Sequence, residues 1–252
     1  MNNLHEMIKR ADEGDKGAMF MVAWDIVWGD QAVELEPELA EKALGYYFQL
    51  AQDGDCNSML DLGAMYLEGR GVERNEGKAL AWYRKAADML YPKAFRCIGN
   101  YWMYYSEKAP DVKRAFEAFI KGSVLGEQNS LYMLGDIYRA GEYVEKDDHF
   151  AFYLYRAAEQ VIDRNDFGYE GGDVSWDDCY SDVQLRLGEC LLDGIGTEAN
   201  LEKAIDHLQE SVNIFKRRIA EGDDPKDANS KELARAQVKL VDALRRKDSI
   251  DG

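Results

Sequence analysis

The sequence predicts an all-α fold: a right-handed α–α superhelix of about five helix–turn–helix repeats, closed by a C-terminal capping helix. Two observations carry that prediction. Gly63, Gly99 and Gly135 step along the chain by 36 residues, and Asn75, Asp111 and Asp147 keep the same step. Around them one grammar recurs: an apolar residue before Gly, an aromatic, a polar helix cap and a basic–Ala pair. A fixed period of this length marks stacked helical hairpins, because one hairpin cannot bury its apolar face alone.

The first repeat is degenerate, as terminal repeats tend to be, with Ala18, Ala23, Gly29, Lys42–Ala43 and Leu50–Ala51. Its inter-helix loop is longer, and Pro37 suits the first turn of its second helix. The second is clearest: Leu62–Gly63, Tyr66, Gly69-Arg70-Gly71-Val72, Asn75, Lys78–Ala79 and Ala86–Ala87. Its first helix is expected from about Asp55 to Glu68, with Gly63 admitting the second helix and Gly69 and Gly71 ending the first. Asn75 then caps the second helix by accepting from a free backbone N–H.

The third repeat has Ile98–Gly99, Trp102, Asp111 and Arg114–Ala115, but Tyr105 stands where the terminating Gly belongs. The fourth has Leu134–Gly135, Tyr138, Gly141, Asp147 and Ala151. The fifth has Leu187–Gly188, Leu191, Gly194-Ile195-Gly196, Asn200 and Lys203–Ala204. The slot aromatics Tyr66, Trp102 and Tyr138 are expected in the core. The array therefore covers residues 1–211, and 212–252 supply a helix extension and the cap. Val212 to Ala220 extend the last repeat helix, Gly222 to Pro225 break it, and Ser230 to Lys247 form the cap. On that cap Leu233, Val238, Leu240, Val241 and Leu244 are expected inward, and Lys231, Glu232, Arg235, Lys239 and Arg245 in water.

Gly69-Arg70-Gly71-Val72, Lys78–Ala79 and Trp82-Tyr83-Arg84-Lys85-Ala86-Ala87 resemble the Sel-1-like repeat, a relative of the tetratricopeptide repeat. The resemblance runs over roughly residues 11–211. It implies an adaptor or scaffold, and it transfers no catalytic residue, because the shared motif is structural. Cysteine-rich secreted members of that class carry regularly spaced disulfides; here Cys56, Cys97, Cys179 and Cys190 fall at non-equivalent positions. Reduced thiols are expected.

The formal net charge of -17 argues against a nucleic-acid backbone or an anionic membrane as partner, and is compatible with a basic protein or peptide. No long uncharged apolar stretch or secretory leader is evident, so a cytoplasmic protein is expected. His5, His149 and His207 have no metal-type spacing, and Gly71 to Lys78 misses the phosphate-loop pattern at both its glycine spacing and Ala79. No enzyme activity, metal or cofactor is expected.

Two surfaces are candidates for binding a partner. In tetratricopeptide-like arrays the first helix of each hairpin lines a concave groove, and the resemblance carries that role to Phe20, Trp24, Trp28, Leu60, Ala64, Leu67, Arg96, Asn100, Met103, Tyr104, Tyr132, Asp136 and Arg139. Aromatics and Arg dominate binding hot spots. The second surface is a 17-residue excess between repeats four and five, an acidic and aromatic stretch of about 163–182. Phe167, Tyr169, Asp173, Trp176, Asp177 and Asp178 are its candidates for docking a basic partner. An inhibitor or immunity-type protein acting on a cationic toxin or enzyme is the alternative function.

Overall fold

The computed structural model describes residues 2–29, 37–106, 109–165, 177–222 and 227–251. Among them the regular structure is entirely helical. Repeat one is α2 (Lys16–Trp28) with α3 (Pro37–Gln52), and repeat two is α4 (Cys56–Glu68) with α5 (Glu76–Asp88). Repeat three is α6 (Pro92–Asn100), continued by a π-helical turn over Tyr101–Tyr105, with α7 (Val112–Val124). Repeat four is α8 (Gln128–Ala140) with α9 (Asp148–Asn165), and repeat five is α10 (Asp177–Asp193) with α11 (Leu201–Ala220). One helix precedes them, α1 (Asn2–Asp12), and α12 (Ala228–Asp251) follows. The first helix of each hairpin is called A here and the second B.

Consecutive helices pack on one another from α1 to α6 and from α8 to α12, as an array of hairpins requires. The chain divides into two compact units, Met1–Ala118 and Phe119–Gly252. In the first unit one apolar cluster joins Ala11, Val22, Val27, Tyr47, Leu62 and Met65, with Leu4, Met7 and Ile8 of α1 packed against it. In the second, Leu185, Leu192, Leu208, Val212 and Phe215 form a core with Ala236, Leu240 and Ala243 of α12.

Every expected cap is made. Asn75, Asp111, Asp147 and Asn200 accept from the N–H of Lys78, Arg114, Phe150 and Lys203 at 2.8–3.0 Å. Each cap residue's own N–H donates to the carbonyl of the slot residue on the preceding A helix: Tyr66, Trp102, Tyr138 or Leu191. Repeat three keeps this closure although its Gly is missing. A π-helical turn replaces the Gly stop, and Ser106 leaves it in extended conformation, donating its N–H to the Tyr101 carbonyl.

The glycines before the slot are contact points. A Cβ on Gly135 would stand 2.5 Å from the Tyr155 ring, and one on Gly188 would stand 2.6 Å from Leu208. At Gly63 it would collide with Tyr83. Gly69 and Gly141 end their A helices in the left-handed region, at φ 74° and 69°. A side chain there would be strained.

Two expectations are corrected. Val238, Val241 and Leu244 of α12 are exposed, and Ala236, Leu240 and Ala243 face inward with half-buried Leu233. Arg235 and Lys239 reach acidic groups on α10 and so help to fix the rotation of the helix. Of the slot aromatics only Tyr66 is fully in the core; Trp102 and Tyr138 are half-buried. The next turn covers each ring: Lys78 lies 4.9 Å from Tyr66, Arg114 lies 4.4 Å from Trp102, and Phe150 packs edge-on to Tyr138. The basic residue of the repeat grammar is thus a cation–π lid in repeats two and three.

Candidate functional site

The A helices of the second unit are tied together by charge. Glu189 of α10 is 2% exposed and is held by Arg139 of α8 at 2.9 Å and by Arg235 of α12 at 2.7 Å. Burial pushes its carboxyl up, but the two arginines outweigh that and leave it below the ordinary carboxylate range. Beside it, Arg186 makes a forked contact with Asp136, with N···O distances of 2.6–2.9 Å, and reaches Asp182 at 3.2 Å. The same guanidinium covers the Tyr132 ring at 5.1 Å, and Asp136 also accepts from the Tyr155 hydroxyl at 2.7 Å.

Deeper in this unit Glu159 accepts from Arg156 and Gln184, and His207 meets Gln184. Burial holds His207 below its usual range, against the pull of Glu159. His149 meets the Gly196 carbonyl. Buried charges are tolerated only when paired, and these are paired. The groove candidates Tyr132, Asp136 and Arg139 are therefore engaged within the protein.

The first unit is different. Trp24 of α2 and Tyr104 of the π-helical turn are 49% and 64% exposed. Phe20 and Trp28 lie one turn to either side of Trp24, both half-buried; Phe20 packs edge-on to Tyr47, and Arg70 covers the Trp28 ring at 4.9 Å. Leu60, Ala64, Arg96, Asn100 and Met103 are half-buried. Leu67 is taken into the core with Tyr66, Leu80 and Tyr101, which removes it from the candidate groove.

A cleft of about 590 Å³ opens where α2 and α4 begin, with Phe20, Met21 and Leu50 in its walls and a Lys16–Asp53 ion pair of 2.9 Å on its lining. Phe20 is thus shared between the cleft and the core. Asp61 of α4 was not singled out from the sequence. Nothing in the repeat grammar marks it, although it sits two residues before Gly63. Burial raises its carboxyl to about 7, against a lowering contribution from Tyr47, and Asp55 adds to the rise.

The acidic insertion is only partly in view. Phe167, Tyr169, Asp173 and Trp176 lie outside the described residues, and Asp177 and Asp178 open α10.

Comparison with known proteins agrees with the period. The Sel1 repeat family model matches residues 57–89, 128–160 and 181–213, which are repeats two, four and five. The rat protein described as "DAP3-binding cell death enhancer 1" is 46% identical over 55 residues, covering 21% of this chain and 11% of that protein. A Sel1 repeat protein from Oxalobacter formigenes superposes with TM-score 0.64 at 24% identity, over 83% of this chain and 55% of the other. The protective antigen c5321 of uropathogenic Escherichia coli, described as displaying an SLR fold, gives TM-score 0.60 at 25% identity, over 95% and 47%. The immunity protein Pa5087 of Pseudomonas aeruginosa shares the fold with TM-score 0.53 at 20% identity, over 90% and 81%. The chain spans about half the length of the first two solved proteins and a small part of the rat protein. With hairpins, caps and close-contact glycines in one recurring grammar, and three repeats matched outright, this chain carries Sel1 repeats and folds as Sel1 repeat proteins do.

Proposed function

We propose that this protein is a non-catalytic binding module that holds an extended peptide segment of a partner protein on the A-helix face of its first unit. Sel1 repeat proteins generally mediate protein–protein interactions. One contrast carries the narrower reading. The A helices of the second unit neutralise their charged residues against one another, whereas the first unit exposes two large aromatics, Trp24 and Tyr104, over about half or more of their surface. Large aromatics at a surface are costly to hydrate and are over-represented among residues that dominate binding energy. A cytoplasmic setting fits four cysteines that form no disulfide with one another.

The test is selection of peptides from a displayed random library on the immobilised protein, with affinities then measured for wild type and for Trp24→Ala/Tyr104→Ala. We expect the double variant to bind the selected peptides at least tenfold more weakly at an unchanged melting temperature. Equal affinities would sink the assignment.

The net charge of -17 favours a second reading, an inhibitor or immunity-type protein that captures a cationic toxin or enzyme through its acidic surface. Association on that surface would weaken steeply with salt. Binding at the aromatic face would not.

A further inference from the structure

Tyr47 is fully buried, yet its hydroxyl makes no hydrogen bond, and neither does the buried indole N–H of Trp28. The Tyr47 hydroxyl faces the carboxyl of Asp61, and the Trp28 N–H faces that hydroxyl, neither in hydrogen-bonding geometry. Three helices thus set two unused donors and a carboxyl in a row: Trp28 of α2, then Tyr47 of α3, then Asp61 of α4. Buried polar groups of a folded protein are nearly always satisfied, so an unfilled set calls for an explanation. Asp61 itself is only half-buried and can be reached from outside.

The repeat register shows what the set lacks. Two residues before the slot glycine, repeat five carries Arg186, and that charge is met by Asp136 and Asp182. Repeat two carries Asp61 in the same place, with no Lys, Arg or His paired to it among the described residues. The groups that face it are Tyr47 from α3 and a second carboxylate, Asp55, at the start of its own helix, with Trp28 from α2 behind Tyr47. Arg70 lies against Trp28, which shows that the indole face accepts a guanidinium.

We infer that Trp28, Tyr47 and Asp61 form a subsite of the first unit that takes a basic side chain, arginine or lysine, from the bound peptide. This rests on the peptide-binding reading above. An arriving cation favours the ionised carboxyl. The Tyr47 O–H then has a carboxylate to donate to, the Trp28 N–H can donate to the Tyr47 oxygen, and the cation takes the remaining carboxylate lone pairs. One proton leaves Asp61 for solvent where the free group is still protonated. Occupancy therefore strengthens as pH rises through the free group's midpoint near 7.

The experiment follows the Asp61 carboxyl by carbon-13 resonance in aspartate-labelled protein, assigned with Asp61→Asn. The probes are N-acetyl-arginine methylamide, its lysine counterpart and its uncharged citrulline counterpart. We expect the Asp61 midpoint to fall by at least one pH unit with saturating arginine or lysine probe and to stay put with citrulline. Affinity for the basic probe should be about five- to tenfold tighter at pH 8 than at pH 6, and Asp61→Asn should remove both effects. Tyr47→Phe deletes a hydroxyl that bonds nothing, so it should fold normally and still weaken the basic probe several-fold.

A midpoint that ignores both cations overturns the subsite, and is the result that a water filling the cluster would give. If display-selected peptides still require Trp24 and Tyr104 in that case, the binding reading survives alone. A midpoint that shifts when no peptide can be selected keeps the cation subsite and removes the peptide reading.

Discussion

At the scale of single residues, the glycines divide by what stands opposite them. Tyr155 is fully buried and pinned by its hydrogen bond to Asp136, so its ring cannot yield to a Cβ on Gly135. We expect Gly135→Ala to cost about 1–3 kcal/mol, the usual range for overpacking. Gly45, exposed on α3 with nothing within 4 Å of a built Cβ, is the control. Gly45→Ala should stabilise by about 0.5–1 kcal/mol through helix propensity. Urea denaturation of both variants checks the pair, and equal effects of one sign would remove the packing argument. Contact glycines and caps were legible in the sequence because each answers to a partner a few residues away or to a fixed register. Asp61 was not, since its character comes from burial and from Tyr47 of α3, which only the fold brings near.

At the scale of helices, legibility fell where orientation depends on distant charge. The amphipathic pattern of α12 admits more than one inward stripe. The choice follows Ala236 and Ala243, small enough for close packing, and Arg235, which meets Glu189 across 46 residues of sequence. No spacing rule reaches that far. Glu189→Gln keeps the shape and removes the charge, leaving Arg139 and Arg235 without their anion. Breaking a buried pair costs about 3–5 kcal/mol, but both arginines keep some contact with water, so about 2–3 kcal/mol is expected from denaturant melts. The pH dependence has a definite sign. A carboxyl held below its unfolded pKa adds stability that is complete above about pH 4.5 and fades as pH falls through the folded value. Wild type should therefore lose its advantage over Glu189→Gln in acid, below about pH 4.5. A constant difference from pH 3 to 8 would place the effect elsewhere.

At the scale of the whole molecule, the two units should respond separately to loss of the C-terminal helix. Removing 228–252 uncovers Leu208, Val212 and Phe215 and takes Arg235 from Glu189. Hydrogen exchange should then show lost protection in α10 and α11, with α2 to α5 protected as before. Uniform loss across the chain would mean that the units do not unfold independently. The ion pairs have a further consequence, for how such a chain can change length. Repeat arrays grow and shrink by gaining or losing whole hairpins, which is easy where neighbours meet through interchangeable apolar side chains. In the second unit the hairpins are not interchangeable. Arg139 needs the Glu189 that follows it, and Glu189 needs Arg235. Cutting out or duplicating one hairpin there would leave a charge sealed in without its opposite, so the charge pattern fixes the number and order of helices in that half of the chain.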